Sequence, residues 1–334
     1  MYEQYYHLKG VPFQLTPDSR YFFGSKGHSR AISHLIYGLS QGEGFIVVTG
    51  EVGAGKTTLV ERLWSQLDRD TYTVARISTT QVSGEDLFRL AMAGFGLEDE
   101  TPGRAHLLRR FETMLQEHQQ SGRRCLLVVD EAQNLPLAGL EELRMLSNLT
   151  SNGGAALQTI LLGQPQFRRT LASPDLDQLR QRVLASYHLG PLSREETKAY
   201  IEHRLTTAGW EGTPHWQDDA YGMIFHYSDG IPRRINRLCS RVLMHGALDE
   251  TSEITATMVE STAEELQQDL KGLEGDNTSP ATVGGQGELP PDTRDESRAI
   301  SSLTYRVEAL EERVGRRERL FQRLAELFNP DHQR

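Results

Sequence analysis

The sequence predicts an α/β fold: a parallel five-stranded sheet, then an all-helical lid domain, a flexible linker and a C-terminal coiled-coil helix. Three observations carry that expectation. A short apolar run, Phe45-Ile-Val-Val48, enters the segment Gly50-Glu51-Val52-Gly53-Ala54-Gly55-Lys56-Thr57, which matches the phosphate-binding loop pattern. A second run, Cys125-Leu-Leu-Val-Val129, is short enough for a buried parallel strand and ends in the acidic pair Asp130-Glu131. From Ser193 onward the strand-sized runs cease and only helical patterns remain.

A phosphate loop needs glycines so that backbone N–H groups can turn inward, a Lys to reach the β- and γ-phosphates, and a hydroxyl for Mg²⁺. Gly50, Gly53, Gly55, Lys56 and Thr57 supply these, with Glu51, Val52 and Ala54 between them and Thr58 opening a helical run to Leu67. The expected ligands are ATP and Mg²⁺. In P-loop ATPases the first carboxylate after the second motif's strand enters the Mg²⁺ shell and the next polarises the attacking water. Asp130 and Glu131 are therefore expected to divide those roles, with Thr57 and Asp130 on the metal. The plainer alternative, a solvated acidic turn after a core strand, loses weight because the pair follows a phosphate loop at a distance that suits two strands of one sheet.

Composition permits this architecture and excludes others. With 334 residues, 37% hydrophobic and 25% charged, the chain suits a soluble globular protein of two domains and a tail. Its apolar runs are strand-sized and the opening Met1-Tyr-Glu-Gln-Tyr-Tyr-His-Leu-Lys lacks the apolar core of a signal peptide, so no membrane insertion and a cytoplasmic location are expected. Two cysteines, Cys125 and Cys239, are too few for a disulfide framework or zinc site. A net charge of −10 gives no global pull toward nucleic acid. Local basic groups remain: Arg168, Arg169, Arg180 and Arg182 cluster in sequence, and Arg233, Arg234, Arg237 and Arg241 fall on one predicted helix. Neutralising phosphate is the favoured use for them.

In chain order, residues 2–28 read as an irregular, aromatic-rich leader packed on a helix at about 29–41. Strand Phe45–Thr49 leads into the loop and its helix, Thr58–Leu67. A strand at Tyr72–Ser78 ends in Thr79-Thr80-Gln81, and helices are expected over about 84–97 and 104–120. After the acidic strand comes a helix, Leu137–Thr150, whose Leu140, Leu143 and Leu146 mark a core face. Strand Leu157–Leu162 ends at Gly163-Gln164-Pro165. Gln164 stands at the carboxyl end of a parallel strand, where ligands sit, and either senses the γ-phosphate or water or merely caps the next helix. Tyr187–Leu189 would be the fifth strand. Helices follow at about 193–208, 215–228, 231–248 and 254–270. The Gly-, Pro- and Ser-rich tract after them reads as linker. Ile300, Leu303, Val307, Leu310, Val314, Arg317, Phe321, Leu324 and Phe328 alternate at three and four, about four heptads. That stripe predicts either a coiled coil with another copy or a partner, or an amphipathic helix docking on its own ATPase domain. The expected organisation is a core over 1–192, a lid over 193–270, a linker over 271–298 and the heptad helix over 299–330.

These pieces in this order resemble an AAA-type ATPase. Pro12-Phe13-Gln-Leu-Thr-Pro-Asp18, Tyr21-Phe-Phe-Gly24, His28, Tyr37-Gly38-Leu39 and the phosphate loop are similar to the opening of the ExeA/GspA-like ATPases, and among these to the ATPase associated with the exosortase (PEP-CTERM) system. Asp130-Glu-Ala-Gln-Asn-Leu135, Leu162-Gly-Gln-Pro165, Leu179-Arg-Gln-Arg-Val183 and Gly230-Ile-Pro-Arg-Arg-Ile-Asn-Arg-Leu-Cys239 continue the resemblance over about residues 1–268. It implies that Arg180 or Arg182 is the arginine finger reaching a neighbouring subunit's γ-phosphate and that Arg233 is the lid's sensor arginine. A permanently charged, forked guanidinium suits both tasks. A homo-oligomer with shared nucleotide sites follows. Secretion-type members continue into a transmembrane segment and a peptidoglycan-binding module; here a linker and heptads follow instead, so envelope anchoring is not expected.

The implied function is a Mg²⁺-dependent ATPase that drives assembly or remodelling of an envelope or polysaccharide-export machine. The alternative is a nucleic-acid-binding regulator resembling transposition ATPases of the TniB and TnsC type, which the acidic balance disfavours.

Overall fold

The computed structural model of the chain describes residues 2–274 other than 17, 69, 79–81, 98–102 and 152–153. The linker and heptad helix expected beyond them lie outside the described residues, as does the polar run 79–81. The described residues all belong to one unit, Met1–Gly275.

Five parallel strands form one sheet: β1 (Phe45–Gly50), β2 (Tyr72–Ile77), β3 (Arg124–Val129), β4 (Leu157–Gly163) and β5 (Val183–Leu189). Their order is β2-β3-β4-β1-β5. Strands β1, β3 and β4 are buried on both faces; β1 and β3 carry unbroken apolar runs at Phe45–Val48 and Cys125–Val129, while β4 also buries Gln158, whose amide donates to the Gly38 and Glu43 carbonyls, and Thr159. Alternation then sorts their side chains. Phe45, Val47, Leu127, Val129 and Leu161 point into one layer with Leu87, Phe88, Phe111 and Leu143 from the helices Gly84–Gly94, Arg104–Gln120 and Leu137–Leu146. Ile46, Val48, Leu126, Val128 and Ile160 point into the other, against Leu35 and Leu39 of the helix Lys26–Gln41 and Leu59 and Leu63 of the helix Lys56–Gln66. Burying one such side chain contributes about 1.5–3 kcal/mol, so two filled layers fix the strand order that places the carboxyl ends of β1, β3 and β4 together.

The expected parallel sheet is present, with several differences in detail. Strand β5 begins at Val183, not Tyr187. It is the edge of the sheet and only half covered, so exposed, polar Ser186 and His188 break the apolar signal while Leu184 is left apolar but exposed. The helix expected to reach Thr150 stops at Leu146, where the Ser147 hydroxyl donates to the Arg144 carbonyl (2.7 Å) and a two-residue hairpin, Thr150–Ser151 with Gly154–Ala155, follows. Short helices at Gln166–Leu171 and Asp177–Arg180 add to the elements expected from sequence.

The second region is not helices alone. His215–Trp216 pairs in parallel with Glu253–Ile254, a ladder too short to leave a period-two pattern, and the helix after it starts at Asp218. Around this ladder the helices Arg194–Thr207, Asp218–Ser228, Pro232–Leu248 and Ala256–Glu274 enclose their own core. The last helix continues past residue 270, into the range expected for the linker. The leader also differs from expectation: Tyr2, Tyr6, Leu8 and Phe13 are buried in this helical core rather than only against the next helix. Buried Arg204 holds it there by donating to the Pro12 carbonyl while its guanidinium lies over the Tyr21 ring at 4.8 Å. Glu196 completes a capping box with Ser193 and also accepts from the Lys26 N–H (2.9 Å), fastening the helical region to the first helix of the core.

Candidate nucleotide site

The loop Glu51–Gly55 joins β1 to the helix Lys56–Gln66. Gly53 (φ +83°) and Gly55 (φ +96°) take the left-handed conformation that side chains avoid. Gly53 is also the point where the helical region meets the loop. The Arg233 N–H donates to the Gly53 carbonyl (3.2 Å), and a Cβ on Gly53 would lie 2.3 Å from Arg233 Cβ. Gly55 caps the helix without a side-chain bond, so the first N–H groups of an eleven-residue helix face the loop.

Lys56 is only 6% exposed, and its ammonium donates to the carbonyls of Gly50 (2.8 Å) and Glu51 (3.0 Å). Burial lowers its pKa, opposed by the charges of Glu131, Asp130 and Glu51. The loop thus holds a cation at its centre without a direct carboxylate partner in these bonds. Next to it the Thr57 hydroxyl donates to Asp130 Oδ2 at 2.9 Å, joining the two groups expected on the metal. Asp130 is 7% exposed and also takes the Arg76 guanidinium at 3.1 Å, while the other arm of Arg76 reaches Glu61 at 3.4 Å.

Glu131 adopts φ 52°, ψ 38°, a conformation that costs a non-glycine residue about 1–2 kcal/mol. The turn it makes, Ala132–Asn134, brings the following side chains back over its own carboxylate. Glu131 Oε2 accepts from Gln133 Nε2 (2.5 Å) and from Gln164 Nε2 (3.2 Å). Gln164 therefore meets Glu131 and does not cap the next helix, which has no side-chain cap.

Lys56, Thr57, Asp130, Glu131, Gln164 and the first turn of the Arg233 helix thus converge at the carboxyl ends of β1, β3 and β4. Arg180 and Arg182 do not join them. The Arg182 carbonyl accepts from the Phe45 N–H (2.9 Å) at the start of β1, and its guanidinium lies 3.3 Å from the Ser147 carbonyl. Arg180 pairs with Asp177 at 2.6 Å. Both are exposed and stand at the amino ends of the strands, remote from this chain's own loop.

Three residues of the site escape the sequence reading. Gln133 and Arg76 touch the acidic pair, and His28 lies buried under the loop with Nδ1 2.8 Å from Ser25 Oγ and Nε2 facing Gly55. Burial lowers the pKa of His28, against a smaller opposing effect of Glu196. The Asp-Glu-Ala-Gln run offers a signal for Gln133, and the resembling opening segment includes His28 without giving it a role; nothing local marks Arg76.

Residues 39–171 match the family described as AAA domain. General secretion pathway protein A of Aeromonas hydrophila is 39% identical over 245 residues, 73% of this chain and 44% of that protein. The chain therefore spans under half the length of this curated relative. Among solved structures, CDC6P from Pyrobaculum aerophilum superposes with a TM-score of 0.58 at 17% identity, covering 75% of this chain and 71% of that one. The ADP form of the Aeropyrum pernix ORC2 protein gives 0.56 at 16%, covering 77% and 73%. Likeness at such identities concerns the fold alone, while the likeness to general secretion pathway protein A extends to the sequence. Strand order, loop, acidic pair and these similarities agree: the protein is a P-loop ATPase of the AAA type, similar to general secretion pathway protein A over 73% of its length.

Proposed function

We propose that the chain binds ATP with Mg²⁺ and hydrolyses it to drive assembly or remodelling of a secretion-related, exopolysaccharide or exosortase envelope machine. The observation that carries the chemical half is the Thr57–Asp130 contact of 2.9 Å beside a carboxylate gripped by two amides. The similarity to general secretion pathway protein A supports the cellular half.

A hydroxyl and a carboxylate oxygen in contact are the hard donors Mg²⁺ accepts when phosphate and water complete its shell, so Thr57 and Asp130 would hold it. Bound there, the ion would neutralise charge on the β- and γ-phosphates. Lys56 would move from the Gly50 and Glu51 carbonyls onto those phosphates, and the loop N–H groups of residues 51–58 would line them. Glu131 would orient and polarise a water for in-line attack, with Gln164 sensing the γ-phosphate. Arg233, seated on Gly53, would report nucleotide to the lid. Arg180 or Arg182 of a neighbouring copy would reach the γ-phosphate, which accords with their distance from their own loop. The ATPase core over 1–192 and lid over 193–270 would act as one oligomerising motor, with 299–330 contributing an association helix.

Among the described residues no helix is long and apolar enough to cross a membrane, and the proposed workplace is the cytoplasmic side of the envelope. DNA is the less favoured partner at a net charge of −10. Phosphate release by purified protein with and without Mg²⁺ tests the chemistry. Crosslinking in cells, with Glu131→Gln to hold the ATP state, tests the partner. Envelope-assembly proteins recovered in an ATP-dependent manner support the reading; no hydrolysis, or salt-sensitive ATP-dependent binding of duplex DNA with no such partner, overturns it.

A further inference from the structure

Gln133 bridges two groups that make opposite demands. The backbone N–H of Gln164 can only donate, and Gln133 Oε1 accepts from it at 2.9 Å. The Glu131 carboxylate can only accept, and Gln133 Nε2 donates to its Oε2 at 2.5 Å. A side chain spanning these two partners needs a donor and an acceptor on one planar group, which is what an amide provides. Asparagine is one methylene shorter.

The same oxygen of Glu131 accepts from the Gln164 side chain at 3.2 Å, and Gln164 Oε1 in turn accepts from Gln166 Nε2 at 2.8 Å. Glu131, Gln133 and Gln164 therefore close a ring of hydrogen bonds that ties the end of β3 to the end of β4. Gln133 makes this ring because the left-handed turn at Glu131 folds the chain back on itself. Without Gln133, Glu131 Oε2 would lose one of its two amide donors and the carboxylate would lose its link to the Gln164 backbone.

We propose that Gln133 is a positioning residue for hydrolysis, locking the water-polarising carboxylate of Glu131 to Gln164 so that both answer the γ-phosphate as one unit. This rests on the reading of Glu131 and Gln164 given above. Gln133 acts through its bonds to Glu131 and Gln164 and not on the phosphate or the attacking water. Its effect belongs in turnover and not in nucleotide binding, because Lys56, the loop and Thr57 do not depend on it.

The test uses full-length protein and the variants Gln133→Met, Gln133→Glu, Gln164→Met, the Gln133→Met/Gln164→Met double and Glu131→Gln. Methionine keeps the length and loses both bonds; glutamate keeps an acceptor for the Gln164 N–H and opposes Glu131. Displacing a catalytic group by about an ångström costs on the order of a hundredfold in rate. Both Gln133 variants are therefore expected to lower kcat about ten- to a hundredfold, with KM and the affinity for a fluorescent ATP analogue within about twofold of wild type. The double variant should be little worse than the more damaged single one, since the members of the ring act together. Wild-type kcat in a folded Gln133→Met or Gln133→Glu protein overturns the proposal, as do losses that multiply in the double variant or appear in KM alone. If Glu131→Gln is slow while both Gln133 variants turn over normally, only the role of Gln133 falls. If Glu131→Gln hydrolyses like wild type, the underlying reading falls with it.

Discussion

Replacing Gly53 with alanine sets a methyl group where the phosphate loop and the helical region touch. Two separate costs arise. At φ +83° an L side chain meets its own backbone, a penalty of about 1–2 kcal/mol. The new Cβ would also stand 2.3 Å from Arg233 Cβ, where carbon atoms ordinarily sit about 3.5–4.0 Å apart, so the loop and the Arg233 helix must separate by more than an ångström. Arg233 Cβ cannot yield alone, because the Arg233 N–H is bonded to the Gly53 carbonyl. Overpacking of this kind costs about 1–3 kcal/mol, which brings the total to about 2–5 kcal/mol against a typical stability of about 5–15. Gly122 provides the control: its φ is +74°, but a Cβ there meets nothing within 4 Å, so Gly122→Ala carries the conformational penalty alone. Urea unfolding of the two variants isolates the clash as their difference, and titration with a fluorescent ATP analogue should show weakened binding for Gly53→Ala only. A Gly53→Ala protein no less stable than Gly122→Ala, with unaltered nucleotide affinity, would refute the packing argument.

Other outcomes turn on single residues. Lys56→Ala should weaken ATP binding about ten- to a hundredfold, the range lost with a charge-assisted bond, read by calorimetry; unchanged affinity would remove Lys56 from the phosphate cradle. If a neighbour's arginine completes the site, hydrolysis per subunit should rise with protein concentration, and one of Arg180→Ala and Arg182→Ala should cut kcat about a thousandfold while leaving monomer affinity intact. Activity independent of concentration in a sedimenting monomer contradicts that arrangement. His28 gives a pH dependence: burial lowers its folded pKa, so below the unfolded value of about 6.5 the unfolded chain binds a proton that the folded chain refuses. Stability should therefore fall as pH drops from about 6.5, by up to about 1.4 kcal/mol per unit, until the folded imidazole also protonates. His28→Gln should flatten that slope in urea titrations at pH 7, 6 and 5, and an equal slope in both proteins would count against it.

Much of the site is legible in the sequence because its chemistry demands fixed residue types at fixed spacing. Gly50 to Thr57 and Asp130-Glu131 match patterns that binding of phosphate and metal and activation of water demand, whatever surrounds them. The sheet is legible where strands are buried on both faces, since β1, β3 and the Ile160–Leu162 end of β4 must then be apolar runs. Legibility fails where burial is one-sided or partners are distant. The first half of β5 alternates with exposed residues, and the ladder of His215–Trp216 with Glu253–Ile254 has two residues a side. Gln133 and Gln164 stand 31 residues apart, just past the ends of different strands, so neither announces the other. Arg76 is one polar residue near the end of a mixed strand, and only the pairing of β2 with β3 carries it to Asp130. The aromatic leader is visible as apolar, but its partner, the helical core, is more than 180 residues away in the chain.

The central claim is that ATP is hydrolysed here by a water that Glu131 polarises. Single-turnover phosphate formation in Glu131→Gln, with ATP and Mg²⁺ binding measured on the same sample, tests it most directly. The amide keeps the shape but loses the base, so ATP should bind with wild-type affinity and turn over about 10²–10⁴-fold more slowly. Phosphate formed at the wild-type rate by a Glu131→Gln protein that binds ATP normally would contradict the account.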